Sequence, residues 1–197
     1  MEITTELIKK LRDESGVSVM LCRKALEESK GDLEKAKVIL QRKGADAAAK
    51  RSDRMLGAGA VASYIHHGGT VGVLVELSSE TDFVSGNESF QVLARDIAMH
   101  IAASRPEFIR REDVSQEALA RAKEVLMKEV EGKPVEMQEK ILEGKLNSYF
   151  AERILLEQPF IKNPDQTIRT LVEGAIQKFG EKIEITRFSR FATGGRA

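Results

Sequence analysis

Any catalysis or metal binding would have to come from few groups: three histidines, His66, His67 and His100, and a single cysteine, Cys22. His66 and His67 are neighbours beside a strand-prone run, so their rings point to opposite sides and cannot reach one metal without a turn between them. No acid or thiol stands at ligand spacing beside them, and one cysteine supplies neither an internal disulfide nor a thiol cluster. His100 falls near the end of an apolar helical pattern, where a hydrogen-bonded structural role is expected. Phosphate loops of the GxxxxGK[ST] or GxGxxG kind are absent from strand-to-helix junctions. A hydrolase that paired Asp82 with His66 or His67 would need an oriented base and an oxyanion or metal stabiliser, and the sequence offers neither at a recognisable spacing. The expectation is a protein that is not an enzyme and needs no metal or cofactor.

Contact chemistry is better represented. Residues 78–90 read SSETDFVSGNESF, after a run TVGVLVEL that alternates like a half-buried strand. Asp82 and Phe83 stand side by side where the strand stops and the next helix has not begun, and loops held between rigid elements carry a large share of binding residues. Two readings are open on composition alone. In one, Phe83 or Val84 tucks under the strands and Asp82 caps the following turn. In the other, Phe83 waits for a partner.

The elements that would position this loop follow from periodicity and caps. Thr4 precedes a helix carrying Ile3, Leu7, Ile8 and Leu11, ended by Ser15-Gly16; Ser18 precedes one with Val19, Cys22, Ala25 and Leu26 inward, stopped at Gly31; Asp32 starts a third through Leu33, Ala36, Ile39 and Leu40 that runs out at Gly44. These three make a small module over 1–44. Residues 45–56 open with ADAAAKRSDR, which has helix propensity but no apolar face, and read as a linker. GAVASYIHHGGTVGVLVEL then reads as a β-hairpin about His66-His67-Gly68-Gly69, with Val71, Val73, Val75 and Leu77 on one face. Phe90, Leu93, Ala94, Ile97, Ala98 and Ile101 recur at helical spacing and can cover it. Residues 115–157 hold two charged helical patterns broken at Gly132-Lys133-Pro134, with Leu119, Ala122, Leu126 and Val130 facing Ile141, Leu142, Leu146, Phe150 and Ile154 in an antiparallel helical hairpin. QPFIKNPD is expected to be irregular, Thr167 to Phe179 helical, and KIEITRFSRF a third strand. The fold class is therefore α+β, with a core over 57–114 plus 158–197.

Composition narrows the function classes. The chain has 197 residues, with 31 Lys plus Arg against 31 Asp plus Glu and a formal net charge of zero. A neutral chain has no global pull towards phosphate backbones or anionic lipid, so no direct nucleic-acid contact and no membrane association are expected. The opening MEITTELIKKLRDE has no apolar signal region, no apolar run approaches the roughly 20 residues that span a bilayer, and cysteine usage fits a reducing compartment. A cytoplasmic location is expected.

Several separate stretches, LRDESGVSVMLCRKALEESKGDLEKA, VGVLVELSSETDFV, DIAMHIAASRPEFI, LLEQPFIKNPDQTI and the closing RFSRF, resemble the elongation factor Ts family in the same order and across nearly the whole chain. The resemblance implies a guanine nucleotide exchange factor for the translational GTPase elongation factor Tu, with an N-terminal ubiquitin-associated-like module, a core dimerisation domain and a helical hairpin. It further implies that Thr81, Asp82, Phe83 and Val84 are inserted beside the partner's magnesium and phosphate site. SYIHH resembles the family's SYxH segment, which meets the other side of the partner's nucleotide-binding domain; His66 and His67 both fit its histidine. In the N-terminal module the family pattern is close to TGAGMMDCKKAL where this chain has SGVSVMLCRKAL, so Met20 and Arg23 keep the type while Val17, Ser18, Val19 and Leu21 depart from it. SSETDFVSGN likewise lacks the cysteine that usually precedes the acid and the ARN that usually follows the valine. Longer relatives carry two copies of the core unit; this chain resembles the short form with one, and a symmetric homodimer is the natural way for one copy to reach both sides of a partner. A ubiquitin-binding adaptor built on the N-terminal helices would rest on fold analogy alone.

Overall fold

The first three helices have their own start signals. The computed structural model describes residues 3–130 and 134–195. Thr4, Ser18 and Asp32 cap helices α1 (Thr5–Ser15), α2 (Val19–Glu28) and α3 (Leu33–Ala49), their side-chain oxygens accepting from the N–H groups of Leu7, Leu21 and Lys35. Such caps satisfy donors that a helix leaves unpaired. Leu11, Val17, Cys22, Ala25, Leu26, Ala36 and Leu40 are buried together as the core of this module. Val19, expected inward, is exposed at the start of α2.

The expected stop at Gly44 does not occur. α3 continues to Ala49 because a second element covers its far end: Gly44 is buried, with the position of a Cβ only 3.4 Å from the Glu173 carbonyl oxygen, and Ala47 and Ala48 pack on the main core. The alanines that lack an apolar face of their own therefore allow close helix approach. The residues that follow are also tied down. Arg51 donates to the carbonyls of Ala47 and Gly180, Arg54 pairs with Glu80 at 3.1 Å, and Lys182 donates to the carbonyls of Ser52 and Arg54.

Strands β1 (Ala58–Ile65) and β2 (Val71–Ser79) form the expected antiparallel hairpin, and β5 (Ile183–Ala192) joins β2 on its other side, giving the order β1-β2-β5. Ala60, Val73, Val75, Leu77, Ile183 and Ile185 point inward. Two helices cover that face: α5 (Glu88–Ser104), capped by Asn87, and α8 (Ile168–Phe179), capped by Thr167. Phe90, Leu93, Ala94, Ile97, Ala98 and Ile101 of α5 are all buried, as the spacing predicts. The architecture is α+β.

Between those helices lies the helical hairpin, α6 (Gln116–Val130) and α7 (Val135–Ala151), with a one-turn α4 (Asp82–Ser85) earlier in the chain. Ala122, Leu126, Val130, Leu142, Phe150 and Ile154 are buried, while Leu119 is more exposed than its position in the pattern suggests. The expected break at Gly132-Lys133 lies outside the described residues; Pro134 directly precedes α7. QPFIKNPD is not irregular: Pro159–Phe160 (β3) and Asn163–Thr167 (β4) form a small antiparallel ribbon. His100 is buried beneath it. Ile161 N–H donates to its Nδ1 at 3.3 Å, so Nε2 carries the proton and donates to Gln158 Oε1 at 2.9 Å. Burial pushes its pKa below the ordinary histidine value, partly offset by Gln158.

Candidate functional site

The loop expected after β2 is a helical turn. Thr81, in extended conformation, precedes α4, and Gly86 N–H closes the turn on the Asp82 carbonyl at 2.8 Å. Ser79 Oγ donates to Thr81 O at 2.9 Å, and Gln91 Nε2 of α5 donates to Ser85 O at 2.6 Å. Successive side chains on a helical turn point about 100° apart, so neighbours take opposite fates here. Val84 is buried in the main core, whereas Phe83 is 84% exposed. Of the two readings, the core takes Val84 and leaves the aromatic in solvent. Truncation of Phe83 would remove no core contact, and an aromatic held in water on an anchored turn is a candidate anchor for another surface.

The charge on this turn is single and free. Asp82 is exposed, and among the described residues no cation pairs with it. Its neighbour Glu80 is neutralised internally: Lys182 N–H, then Arg54, hold its carboxyl below the ordinary carboxylate range. The Thr81 hydroxyl is also engaged, donating to Glu181 Oε1 at 2.6 Å. The turn therefore presents Asp82 and Phe83 outward, with Thr81 and Val84 as the groups that hold it.

The histidine segment lies at the opposite end of the hairpin. His66 N–H donates to Val71 O at 2.9 Å and Gly69 N–H to His66 O at 2.9 Å, a turn that requires the positive φ of Gly68 and Gly69. Both histidines are exposed; His66 Nδ1 lies 3.2 Å from Tyr64 Oη. Asp82 and the histidines are thus separated by the whole of β2, and the hydrolase pairing has no geometry to act through. In the N-terminal module, Met20 is 62% exposed at the start of α2 and Arg23 pairs with Glu27 at 2.9 Å one turn later. Three separate surfaces result, not one cleft. Among the described residues, no three His, Cys, Asp or Glu side chains converge as a metal set, and no helix is long and apolar enough to cross a membrane.

The family model described as elongation factor Ts matches residues 25–195. The chain belongs to the elongation factor Ts family. Elongation factor Ts of Carboxydothermus hydrogenoformans is 51% identical over 194 residues, covering 98% of this chain and 89% of the relative. The proteins of the same name from Desulforamulus reducens and Thermodesulfovibrio yellowstonii are each 48% identical over 195 residues, covering 98% of this chain and 90% and 98% of theirs. The chain thus stands among the elongation factors of protein biosynthesis. In elongation factor Ts terms, the exposed residues of TDFV, SYIHH and the SGVSVMLCRKAL segment make up the three surfaces just described. Sequence reasoning missed Glu181, which holds the TDFV turn from across the fold, and Glu80, which ties the residue just before the turn to Lys182; no local pattern marks either contact, because the two residues it joins are about a hundred positions apart in the chain.

Proposed function

We propose that the chain is a guanine nucleotide exchange factor for elongation factor Tu, acting in the cytoplasm, and that it promotes GDP release by inserting the TDFV turn beside the partner's magnesium and phosphate site. The observation that carries this reading is Phe83, 84% exposed on a turn whose neighbouring residue Val84 is buried. An aromatic so placed can enter an apolar crevice at low ordering cost. Asp82 adds an acceptor-only negative charge that competes for groups ordering the partner's metal and is repelled by the nucleotide's phosphates. Ion and diphosphate are held as one network, so disturbing either weakens both. No covalent step is needed.

The remaining surfaces support a division of labour. Residues 1–44 act as a ubiquitin-associated-like partner-binding module through Met20 and Arg23, joined through 45–56 to the core over 57–114 plus 158–197, with the helical hairpin over 115–157. His66 or His67 meets a second side of the partner. TDFV and the histidine turn lie at the two ends of β2, nine residues long, or about 30 Å at about 3.3 Å per residue. One chain therefore presents them in diverging places, and a homodimer lets one subunit supply Phe83 and the other His66 to the same GTPase. The outer face of the sheet favours such a dimer: Val61, Ile65, Leu74 and Phe191 are exposed there together, an apolar patch of the kind that association covers.

Elongation factor Tu loaded with a fluorescent GDP analogue, chased with unlabelled GDP, tests the reading. Release should accelerate in proportion to added chain. Release that stays at the intrinsic rate up to micromolar chain would reject it.

A further inference from the structure

Thr81 is placed to cap α4 but does not. A threonine at that position ordinarily accepts a hydrogen bond from a backbone N–H one turn into the helix; here no such bond forms. Both hydrogen-bond donors of Thr81 turn instead to a residue a hundred positions later. Its hydroxyl donates to Glu181 Oε1 at 2.6 Å and its backbone N–H donates to Glu181 Oε2 at 3.1 Å. One carboxylate thus spends both oxygens on one residue, and charge-assisted bonds of this length are stronger than neutral ones.

The turn needs such a hold. α4 is four residues long, far below the length at which a helix persists by itself, so the direction of Phe83 has to be imposed from outside. Val84 anchors one side by burial. Glu181 anchors the other, and its own position is fixed: it lies between α8 and β5, where the Gly180 carbonyl accepts from Arg51 and Lys182 N–H donates to Glu80. Residues 79, 80 and 81 are consequently each hydrogen-bonded, two of them to the α8–β5 turn.

We propose that Glu181 is a positioning residue for exchange: by gripping Thr81 at both its N–H and its hydroxyl, it preorganises the turn that presents Phe83. This rests on the reading of Phe83 as the inserted group. Ordering a contact before binding removes a cost that would otherwise be met at the interface, so the grip acts on exchange through Phe83 and not through a contact of its own.

The test is a double-mutant cycle in full-length chain, read as second-order acceleration of fluorescent GDP release from elongation factor Tu. Glu181→Ala should lower it about tenfold, the scale of a lost charge-assisted hydrogen bond. Glu181→Gln should stay within about twofold of the parent, because the amide oxygen can accept from Thr81 N–H while its NH₂ donates to the Thr81 hydroxyl. In a Phe83→Ala background, Glu181→Ala should change the rate by less than about twofold, since the two act as one unit. If Glu181→Ala fails to fold, Thr81→Val removes the hydroxyl from the other side of the grip and should lower exchange by about threefold. Normal exchange by Glu181→Ala beside impaired Phe83→Ala would overturn the positioning role and leave the proposed function standing. Equal losses in both backgrounds, or no recovery with Glu181→Gln, would also overturn it. Normal exchange by Phe83→Ala would remove the reading beneath it.

Discussion

Replacing Phe83 by alanine separates binding from folding. The ring is 84% exposed, so its loss leaves no cavity, and surface changes of this kind stay within about 0.5 kcal/mol of the parent in stability. A buried phenylalanine would instead cost about 3–5 kcal/mol. The effect on the partner is worked from the same exposure. A fully enclosed aromatic buries about 150–250 Å², so with 84% still free docking can hide roughly 130–210 Å², or about 3–5 kcal/mol at about 25 cal/mol per Å². Ordering the side chain offsets about 0.5–1.5 kcal/mol of this. The remainder, about 1.5–4.5 kcal/mol, corresponds to a loss of about tenfold to two-thousandfold in second-order exchange. Thermal unfolding followed by circular dichroism and stopped-flow release of a fluorescent GDP analogue give the two numbers. Exchange within about threefold of the parent would refute the anchor, as would a fall in stability of the size expected for a core residue.

Gly44→Ala should stabilise the protein by about 0.5–1 kcal/mol, because a helical glycine is replaced and the added Cβ would rest 3.4 Å from Glu173 O; destabilisation in a urea titration would show that the Glu173 backbone cannot give way to the added methyl. His100 is held neutral by burial, so as pH falls below about 6.5 the unfolded chain takes up a proton that the folded chain refuses, and stability drops. Between pH 7 and 5.5 the melting temperature of the parent should therefore fall more than that of His100→Gln; equal slopes would exclude this histidine as the cause. Mixing inactive Phe83→Ala and His66→Ala chains should restore exchange if each GTPase is met by two subunits, since a mixed dimer has one site with neither lesion; no recovery after verified subunit exchange would reject the shared site.

Much of the fold is legible locally because it is specified locally. Thr4, Ser18 and Asp32 each cap the helix that the sequence places after them, and the inward run of Val71, Val73, Val75 and Leu77 matches the face that α5 covers. What escapes is set by distant partners. Periodicity reports the faces a segment owns and not which surface it meets, so the alanines at 47 and 48 look faceless until the core lies against them. The ribbon of β3 and β4 is too short to leave a pattern, and Pro159 and Pro164 argue against strands there until pairing is seen. At the candidate site, Asp82 and Phe83 are conspicuous by type and place. The choice between Phe83 and Val84 as the buried residue was not legible, because it depends on the rotation of a four-residue turn held by Glu181.

An exchange factor has to bind tightly enough to displace a nucleotide and still let go when the next one arrives. If the factor weakens GDP binding by some ratio, GDP weakens factor binding by the same ratio, so the contact must differ between the loaded and empty partner. Under the function proposed above, the two outward side chains of the TDFV turn would divide this task. Phe83 has no charge and contributes contact area in any state that offers a crevice, which is affinity without discrimination. Asp82, unpaired among the described residues, would on the same proposal be repelled while phosphates occupy the site and tolerated once they leave, which is discrimination without much affinity. Because both ride on one short turn fastened at Val84 and Thr81, they would on this proposal engage together, with the repulsion delivered wherever the anchor enters.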